Sequence, residues 1–183
     1  NQQFFPQVTA SAREQLSKRM AIDLTQGYPP HGGGNPWYKN RTGVIEIYNA
    51  WRSSHIERMP LLLVGDAPSD ELLKVQSISP FKSDIHWLSG IEDEFVRKAY
   101  AAASVFLFPS LAEGFGWPIA EAMASGCPVI TTNEPPMTEV AGDAGFLIPR
   151  RPLDNNKAAR WAAEAAKVVS KIFALTQEEY TAS

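Results

Sequence analysis

The order of hydrophobic segments predicts that strands and helices alternate from about residue 42 onward. Short apolar runs bounded by glycine, proline or polar residues predict buried strands, and the segments between them have the apolar spacing of helices. The predicted strands are 61–64, 85–88, 105–108, 128–131 and 146–148, and the predicted helices are 42–55, 70–75, 92–103, 117–125, 137–141 and 155–175. This alternation indicates a single α/β domain with a Rossmann-like, doubly wound parallel sheet.

The first thirty residues fit this pattern less well. A helix over 11–24 is expected, but residues 25–34 contain two prolines and four glycines and cannot form a normal central strand. A regular sheet needs a strand just before Asn35, so either that strand is very short or residues are missing or altered here. We therefore divide the chain into an N-terminal helix and linker, 1–30, and a Rossmann-like domain, 31–183.

Composition narrows the class of protein. With 183 residues, of which 44% are hydrophobic and 20% charged, the chain can bury one globular core. Its 17 basic and 20 acidic residues give no excess of positive charge, which argues against nucleic acid as a partner. No apolar run approaches the roughly 20 residues that span a bilayer, and the lone Cys127 excludes an internal disulfide, so we expect a cytoplasmic protein. Because the chain begins with Asn1, we expect a fragment of a longer protein.

A segment in the middle of the chain predicts an anion site. Glu113 and Glu121 stand eight positions apart around a turn that opens a helix. Gly114 and Gly116 let the backbone approach a ligand closely, and the free N–H groups at the helix start attract a diphosphate. Nothing indicates a catalytic carboxylate pair, so we assign Glu113 to sugar hydroxyls and Glu121 to a ribose diol. The alternative for Glu121 is a solvated helix carboxylate.

A second glycine-rich loop carries Lys39 and Arg41. These cations can neutralise a leaving diphosphate, and arginine can hold it through two hydrogen bonds; the alternative is two surface charges. The loop of Glu113 follows a predicted strand, and the loop of Lys39 follows the position where a regular sheet needs one; ligands of open α/β sheets bind at the carboxyl ends of strands. The three histidines are scattered without metal-ligand spacing, and Ser110 lacks the setting of a nucleophile elbow, so we predict neither a metal site nor a serine nucleophile.

At these residues the sequence resembles the carboxyl-terminal, donor-binding domain of the retaining glycosyltransferases of family 4. These enzymes have the GT-B architecture of two facing Rossmann-like domains. The resemblance covers roughly residues 33–149. Its strongest part is the segment from Glu113 to Glu121 with the following Ala-Met-Ala-Ser-Gly-Cys-Pro-Val-Ile130, and segments 88–90, 100–104 and 139–145 also match.

The resemblance implies roles for individual residues. Lys39 would bind the diphosphate and Glu121 the ribose, while Glu113 would contact the donor sugar at the catalytic centre. The remaining implied contacts run through the backbone, with the sugar and its phosphate at Gly114, Phe115 and Gly116, and with the base at Gly90 and Ile91. No metal or other cofactor is implied. An arginine common in the family is replaced by Gly33, which leaves open whether Arg41 substitutes for it, and Trp117 stands where a smaller aliphatic residue is common.

The implied activity is transfer of a hexose, such as mannose or glucose, from a GDP- or UDP-hexose to a polysaccharide or glycolipid acceptor. Family members bind the acceptor on an amino-terminal domain, which the sequence does not contain, so we expect this chain to bind nucleotide sugar without transferring it. The full-length enzyme would work in the cytoplasm or peripherally at the cytoplasmic face of a membrane. Two alternatives remain: a sugar-nucleotide-processing enzyme or phosphorylase of the same architecture, and a non-catalytic module that retains the fold.

Overall fold

The computed structural model describes residues 4–6, 9–55 and 58–181, the last six of them as helix backbone only. Within these ranges the elements are, in chain order, α1 (Thr9–Met20), β1 (Pro30–Gly33), α2 (Arg41–Arg52), β2 (Leu61–Gly65), α3 (Asp70–Ser77), β3 (Ile85–Leu88), α4 (Asp93–Ala101), β4 (Phe106–Phe108), α5 (Trp117–Ala124), β5 (Val129–Thr132), α6 (Met137–Ala141), β6 (Phe146–Ile148) and α7 (Asn155–Thr181). A 3₁₀ turn, Trp37–Lys39, precedes α2.

All strand pairs are parallel, and they form two three-stranded sheets, β1-β2-β3 and β4-β5-β6. Strands β1 and β4 lie side by side where the two sheets meet. There the Ser104 N–H donates to the Tyr28 carbonyl at 3.0 Å, and the His31 imidazole bonds the Leu107 carbonyl at 2.8 Å. The resulting order 3-2-1-4-5-6 is that of a doubly wound Rossmann fold, which confirms the predicted fold class.

The structure confirms one of the two alternatives for residues 25–34, a very short strand before Asn35. Four of these residues form β1, which pairs with β2 and lies next to β4. Pro30 is tolerated because it is the first residue of the strand, and the preceding Pro29 accepts a hydrogen bond from the Leu62 N–H through its carbonyl. Toward β4, the His31 side chain bonds to the Leu107 carbonyl, so the contact between these two strands does not depend on backbone hydrogen bonds alone.

Helices cover both faces of the sheet, and a buried cluster lies under each layer. Alternate side chains of β2 enter opposite clusters: Leu61 and Leu63 join one with α2 and α7, while Leu62 joins the other with α1, α4 and α5. Cys127 is 4% exposed in the second cluster, and burial raises the pKa of its thiol to about 12, so this cysteine packs in the core as a neutral thiol.

Most predicted boundaries agree with the structure within a few residues, and the two helices at the chain ends differ most. Helix α1 ends at Met20 because Ala21 adopts a left-handed conformation with φ of 53°. The apolar residue Leu24, predicted to be helical, is instead fully buried after the helix end. Helix α7 continues to Thr181, beyond the predicted end at residue 175.

Candidate functional site

Lys39 and Glu113 meet at the carboxyl ends of β1 and β4. Lys39 ends the 3₁₀ turn after β1, and Glu113 lies in the loop after β4, 74 positions later. The Lys39 Nζ donates to both carboxylate oxygens of Glu113, at 2.8 and 2.9 Å. Because the two side chains are only 14% and 7% exposed, this pair is shielded from solvent and fixed in position. The structure thus joins the principal cation and carboxylate singled out in the sequence.

Ser110 and the backbone hold the two loops together. The Ser110 Oγ lies 2.6 Å from Glu113 Oε1 and 2.8 Å from the Tyr38 carbonyl oxygen. The Leu111 N–H donates to the same Tyr38 carbonyl at 2.6 Å. A cavity of about 190 Å³ adjoins this contact and is lined by Tyr38, Ala112, Glu113 and Gly114. Ser110 therefore orients the carboxylate, a role that the sequence analysis missed.

Asn40 is a second residue that the sequence analysis missed. It adopts φ of 52° and ψ of 42°, and its side-chain oxygen caps α2 by accepting from the Gly43 N–H at 3.2 Å. Its amide nitrogen donates to the Pro109 carbonyl at 2.8 Å. One side chain thus fixes the start of α2 against the loop of Glu113. An asparagine directly before a predicted helix is an N-cap signal, and it could have been found in the sequence.

Arg41 follows in the first turn of α2 and is 3% exposed. Its guanidinium donates to the Gly33, Val64 and Asp66 carbonyls and to Asn35 Oδ1. Burial is the main cause that lowers the pKa of Arg41, and the charge of Asp66 opposes it. The observed contacts tie the ends of β1 and β2 together, so Arg41 here stabilises the site from within; binding of a diphosphate by Arg41 remains a prediction.

The turn before α5 has the open geometry expected of an anion site. Gly116 is the N-cap residue, with φ of 96° and ψ of 40°, and no described side chain caps the helix. A Cβ placed on Gly114 would meet no described atom within 4 Å. Phe115 and Trp117 are 47% and 60% exposed, with ring centroids 4.7 Å apart. A ligand can therefore approach the backbone at Gly114 and at the Trp117 N–H, whereas Pro118 has no N–H and the Ile119 N–H donates to the Gly116 carbonyl at 2.9 Å.

The remaining predicted contact residues are Glu121, Gly90 and Ile91. Glu121 is half-buried on α5, and burial raises the pKa of its carboxyl. No hydrogen bond or ion pair among the described residues links Glu121 to Lys39 or Glu113. Gly90 follows β3 with φ of 65°, and a Cβ placed on it would meet no described atom within 4 Å. Ile91 is partly buried and packs against the second cluster.

In the described ranges no three His, Cys, Asp or Glu side chains are grouped so as to hold a metal ion. The same ranges contain no helix with the length and apolar character needed to cross a membrane.

The fold and these residues define a class: a Rossmann-like domain with a candidate ligand site at the carboxyl ends of β1 and β4. The family described as Glycosyl transferases group 1 matches residues 33–171. The chain therefore belongs to the group 1 glycosyl transferases, which confirms the family resemblance found in the sequence.

Similar proteins agree with this assignment. The O-antigen chain mannosyltransferase B of Escherichia coli is 36% identical over 124 residues, which are 67% of this chain and 32% of that protein. This chain thus spans about a third of the length of that relative. The crystal structure of WaaG, a glycosyltransferase involved in lipopolysaccharide biosynthesis, superposes with a TM-score of 0.71 at 23% identity, covering 92% of this chain and 45% of WaaG. Anabaena Alr3699/HepE, solved in complex with UDP-glucose, gives a TM-score of 0.66 at 20% identity over 94% of this chain and 53% of that one. The two structures support the fold.

Proposed function

We propose that this chain is the donor-binding domain of a retaining glycosyltransferase that transfers a hexose, mannose or glucose, from a nucleoside-diphosphate sugar. The observation that carries the proposal is the Lys39–Glu113 pair beside the uncapped start of α5. Family membership and the similarity to a mannosyltransferase support the reaction class. The similar fold solved with UDP-glucose supports the class of donor.

The chemistry follows from charge. A nucleoside diphosphate gains negative charge as it leaves the sugar, and fixed positive groups that receive this charge lower the barrier. Lys39 supplies a positive charge, which Glu113 offsets in the free protein. The Trp117 N–H and the positive end of the α5 dipole add to it, whereas Pro118 has no N–H and the Ile119 N–H donates to the Gly116 carbonyl. The Glu113 carboxylate accepts hydrogen bonds from sugar hydroxyls and so orients the donor, while Glu121 accepts from the ribose diol. In this proposal these groups do the work without a metal ion.

The acceptor is a polysaccharide or glycolipid, as the name of the O-antigen chain mannosyltransferase suggests. In the proposal a second domain of the complete protein binds it, and the enzyme acts at the cytoplasmic face of a membrane. Gly90 and Ile91 would contact the base of the nucleotide through their backbone, because Gly90 leaves its surroundings open.

Isothermal titration with GDP-mannose, UDP-glucose and inorganic phosphate tests the proposal. We expect one of the nucleotide sugars to bind and phosphate alone not to bind. Lys39→Met should weaken nucleotide-sugar binding by about 1.5 to 3 kcal/mol, the cost of a lost charged hydrogen bond. Lys98→Met is the matched control, because Lys98 also pairs with a glutamate, Glu94, but lies on α4 away from the proposed phosphate site.

Two results would contradict the proposal. Binding of phosphate without nucleotide sugar would favour a phosphorylase of the same architecture. Equal affinities of the Lys39→Met variant and the original chain, or no binding by either, would favour a module that retains the fold without the activity.

A further inference from the structure

Three of the tyrosines that the structure describes are buried or nearly buried, and Tyr100 differs from the other two in the hydrogen bonding of its hydroxyl group. The Tyr28 hydroxyl donates to the Ala99 carbonyl at 2.9 Å, and the Tyr48 hydroxyl donates to the Met59 carbonyl at 2.7 Å. Tyr100 is 5% exposed, yet its hydroxyl makes no hydrogen bond to any residue that the structure describes. The hydroxyl oxygen is nevertheless not sealed from solvent, so its proton is available to an acceptor on a bound ligand.

The Tyr100 hydroxyl lies at the switch point of the sheet. Side chains on a helix tilt toward its N-terminus, and α4 runs back along the parallel sheet, so Tyr100 is directed toward the carboxyl ends of the strands. Its ring packs edge-on against Phe106 of β4, with centroids 5.1 Å apart. Its hydroxyl oxygen is 2.6 Å from the position that a Cβ on Gly32 of β1 would occupy. The hydroxyl therefore lies at the junction of β1 and β4, the two strands between which ligands of this fold bind.

Gly32 leaves the space that the hydroxyl uses, because any side chain at this position would collide with it. Glu121, on the neighbouring helix α5, is close enough to act electrostatically on the same group. Burial, and then the negative charges of Glu121 and Cys127, raise the pKa of Tyr100. The hydroxyl thus remains protonated at neutral pH and is a hydrogen-bond donor beside a carboxylate acceptor.

We propose that Tyr100 is a further donor-site residue, whose hydroxyl donates a hydrogen bond to the ribose of the nucleotide sugar next to Glu121. This inference rests on the proposed function. A ribose hydroxyl both donates and accepts, so one hydroxyl can give its proton to the Glu121 carboxylate and accept the proton of Tyr100. The pair would then discriminate ribose from deoxyribose, whereas a carboxylate alone would contribute only the acceptor.

Titration of the Tyr100→Phe variant tests this inference, because phenylalanine keeps the ring that packs on Phe106 and removes only the oxygen. The ligands are the nucleoside diphosphate that binds the original chain, UDP or GDP, and its 2′-deoxy and 3′-deoxy analogues. We expect the variant to bind the ribonucleotide about 3- to 10-fold more weakly, the effect of one hydrogen bond. For the analogue that lacks the contacted hydroxyl, the variant and the original chain should bind equally.

Tyr48→Phe is the matched control, since its hydroxyl is satisfied by Met59 within the cluster on the other face of the sheet. This control should lower the melting temperature without changing nucleotide affinity, whereas Tyr100→Phe should not lower the melting temperature of the free protein. Unchanged affinity of Tyr100→Phe for the ribonucleotide would overturn the inference, and so would an equal loss for the ribonucleotide and both analogues. Failure of the original chain to bind any nucleotide would overturn the proposed function itself, and this inference with it.

Discussion

His31 should make the stability of this domain depend on pH. The imidazole is fully buried between β1 and β4, with Nδ1 2.8 Å from the Leu107 carbonyl oxygen. Since a carbonyl can only accept, Nδ1 carries the proton of the neutral ring. The ring stacks near Phe106 and Phe108, with centroids 6.4 and 5.9 Å away. Burial is the main cause that lowers the pKa of His31 to about 3, and the charges of Arg41 and Lys39 act in the same direction.

The sign and size of the effect follow from this pKa. An unfolded histidine has a pKa of about 6.5, so below that pH the unfolded chain binds a proton that the folded chain excludes. The stability is complete above pH 6.5 and falls progressively as the pH falls toward 3. For a folded pKa of about 3, linkage gives a loss from His31 of about 2 kcal/mol at pH 5 and about 4 kcal/mol at pH 3.

Urea unfolding at pH 7.5 and 5.0 measures this loss. The comparison is with His31→Asn, whose amide can donate to the Leu107 carbonyl but cannot be protonated. We expect the variant to be less stable at both pH values, because ring packing is lost. Between pH 7.5 and 5.0, however, the free energy of unfolding of the variant should fall by about 2 kcal/mol less than that of the original chain. His86→Asn is the control. Burial also lowers the pKa of His86, but that residue is only half-buried, so removing it should change the pH dependence of stability less than removing His31. Equal pH dependence of His31→Asn and the original chain would refute the reasoning.

Two further predictions concern the loops that support the site. Gly43→Ala would place a Cβ within 2.5 to 2.7 Å of the Asn40 amide and so displace this helix cap. Loss of the cap should outweigh the gain in helix propensity and lower the free energy of unfolding by about 1 kcal/mol. Urea unfolding measures the change with Thr42→Ala in the same turn as the control, and a stabilised Gly43→Ala variant would contradict the prediction. In Arg41→Lys, the lysine side chain cannot make all four hydrogen bonds of the guanidinium. We expect the free energy of unfolding to fall by about 2 to 4 kcal/mol and nucleotide affinity, measured by titration, to change less. A larger effect on affinity than on stability would indicate that Arg41 binds the diphosphate.

The elements with a strong local signal could be predicted from the sequence. Strands β2 to β6 are short apolar runs with turn residues on both sides, and each was predicted within one residue of its observed ends. Strand β1 was anticipated only as one of two alternatives, because prolines and glycines oppose a strand when only neighbouring residues are considered. Its pairing with β2 and the bond from the His31 side chain to β4 depend on residues far away in the chain.

The candidate site shows the same division. Glu113 and the glycine turn before α5 were found because they follow a predicted strand, where ligands of this fold bind, and Lys39 was found because it follows the position where a regular sheet needs a strand. The uses of Arg41 and Tyr100 could not be predicted, since the first depends on carbonyls of β1 and β2 and the second on the missing side chain of Gly32.

The sequence by itself determined the class of fold, the family and the loops that carry the polar residues, because hydrophobic periodicity and motif spacing are local properties. The tertiary structure decided which side chains meet: the contact of Lys39 with Glu113, the internal use of Arg41, and the position of the Tyr100 hydroxyl at the place of the missing Gly32 side chain. Contacts between distant positions depend on how strands and helices pack, and no local pattern encodes the resulting distances.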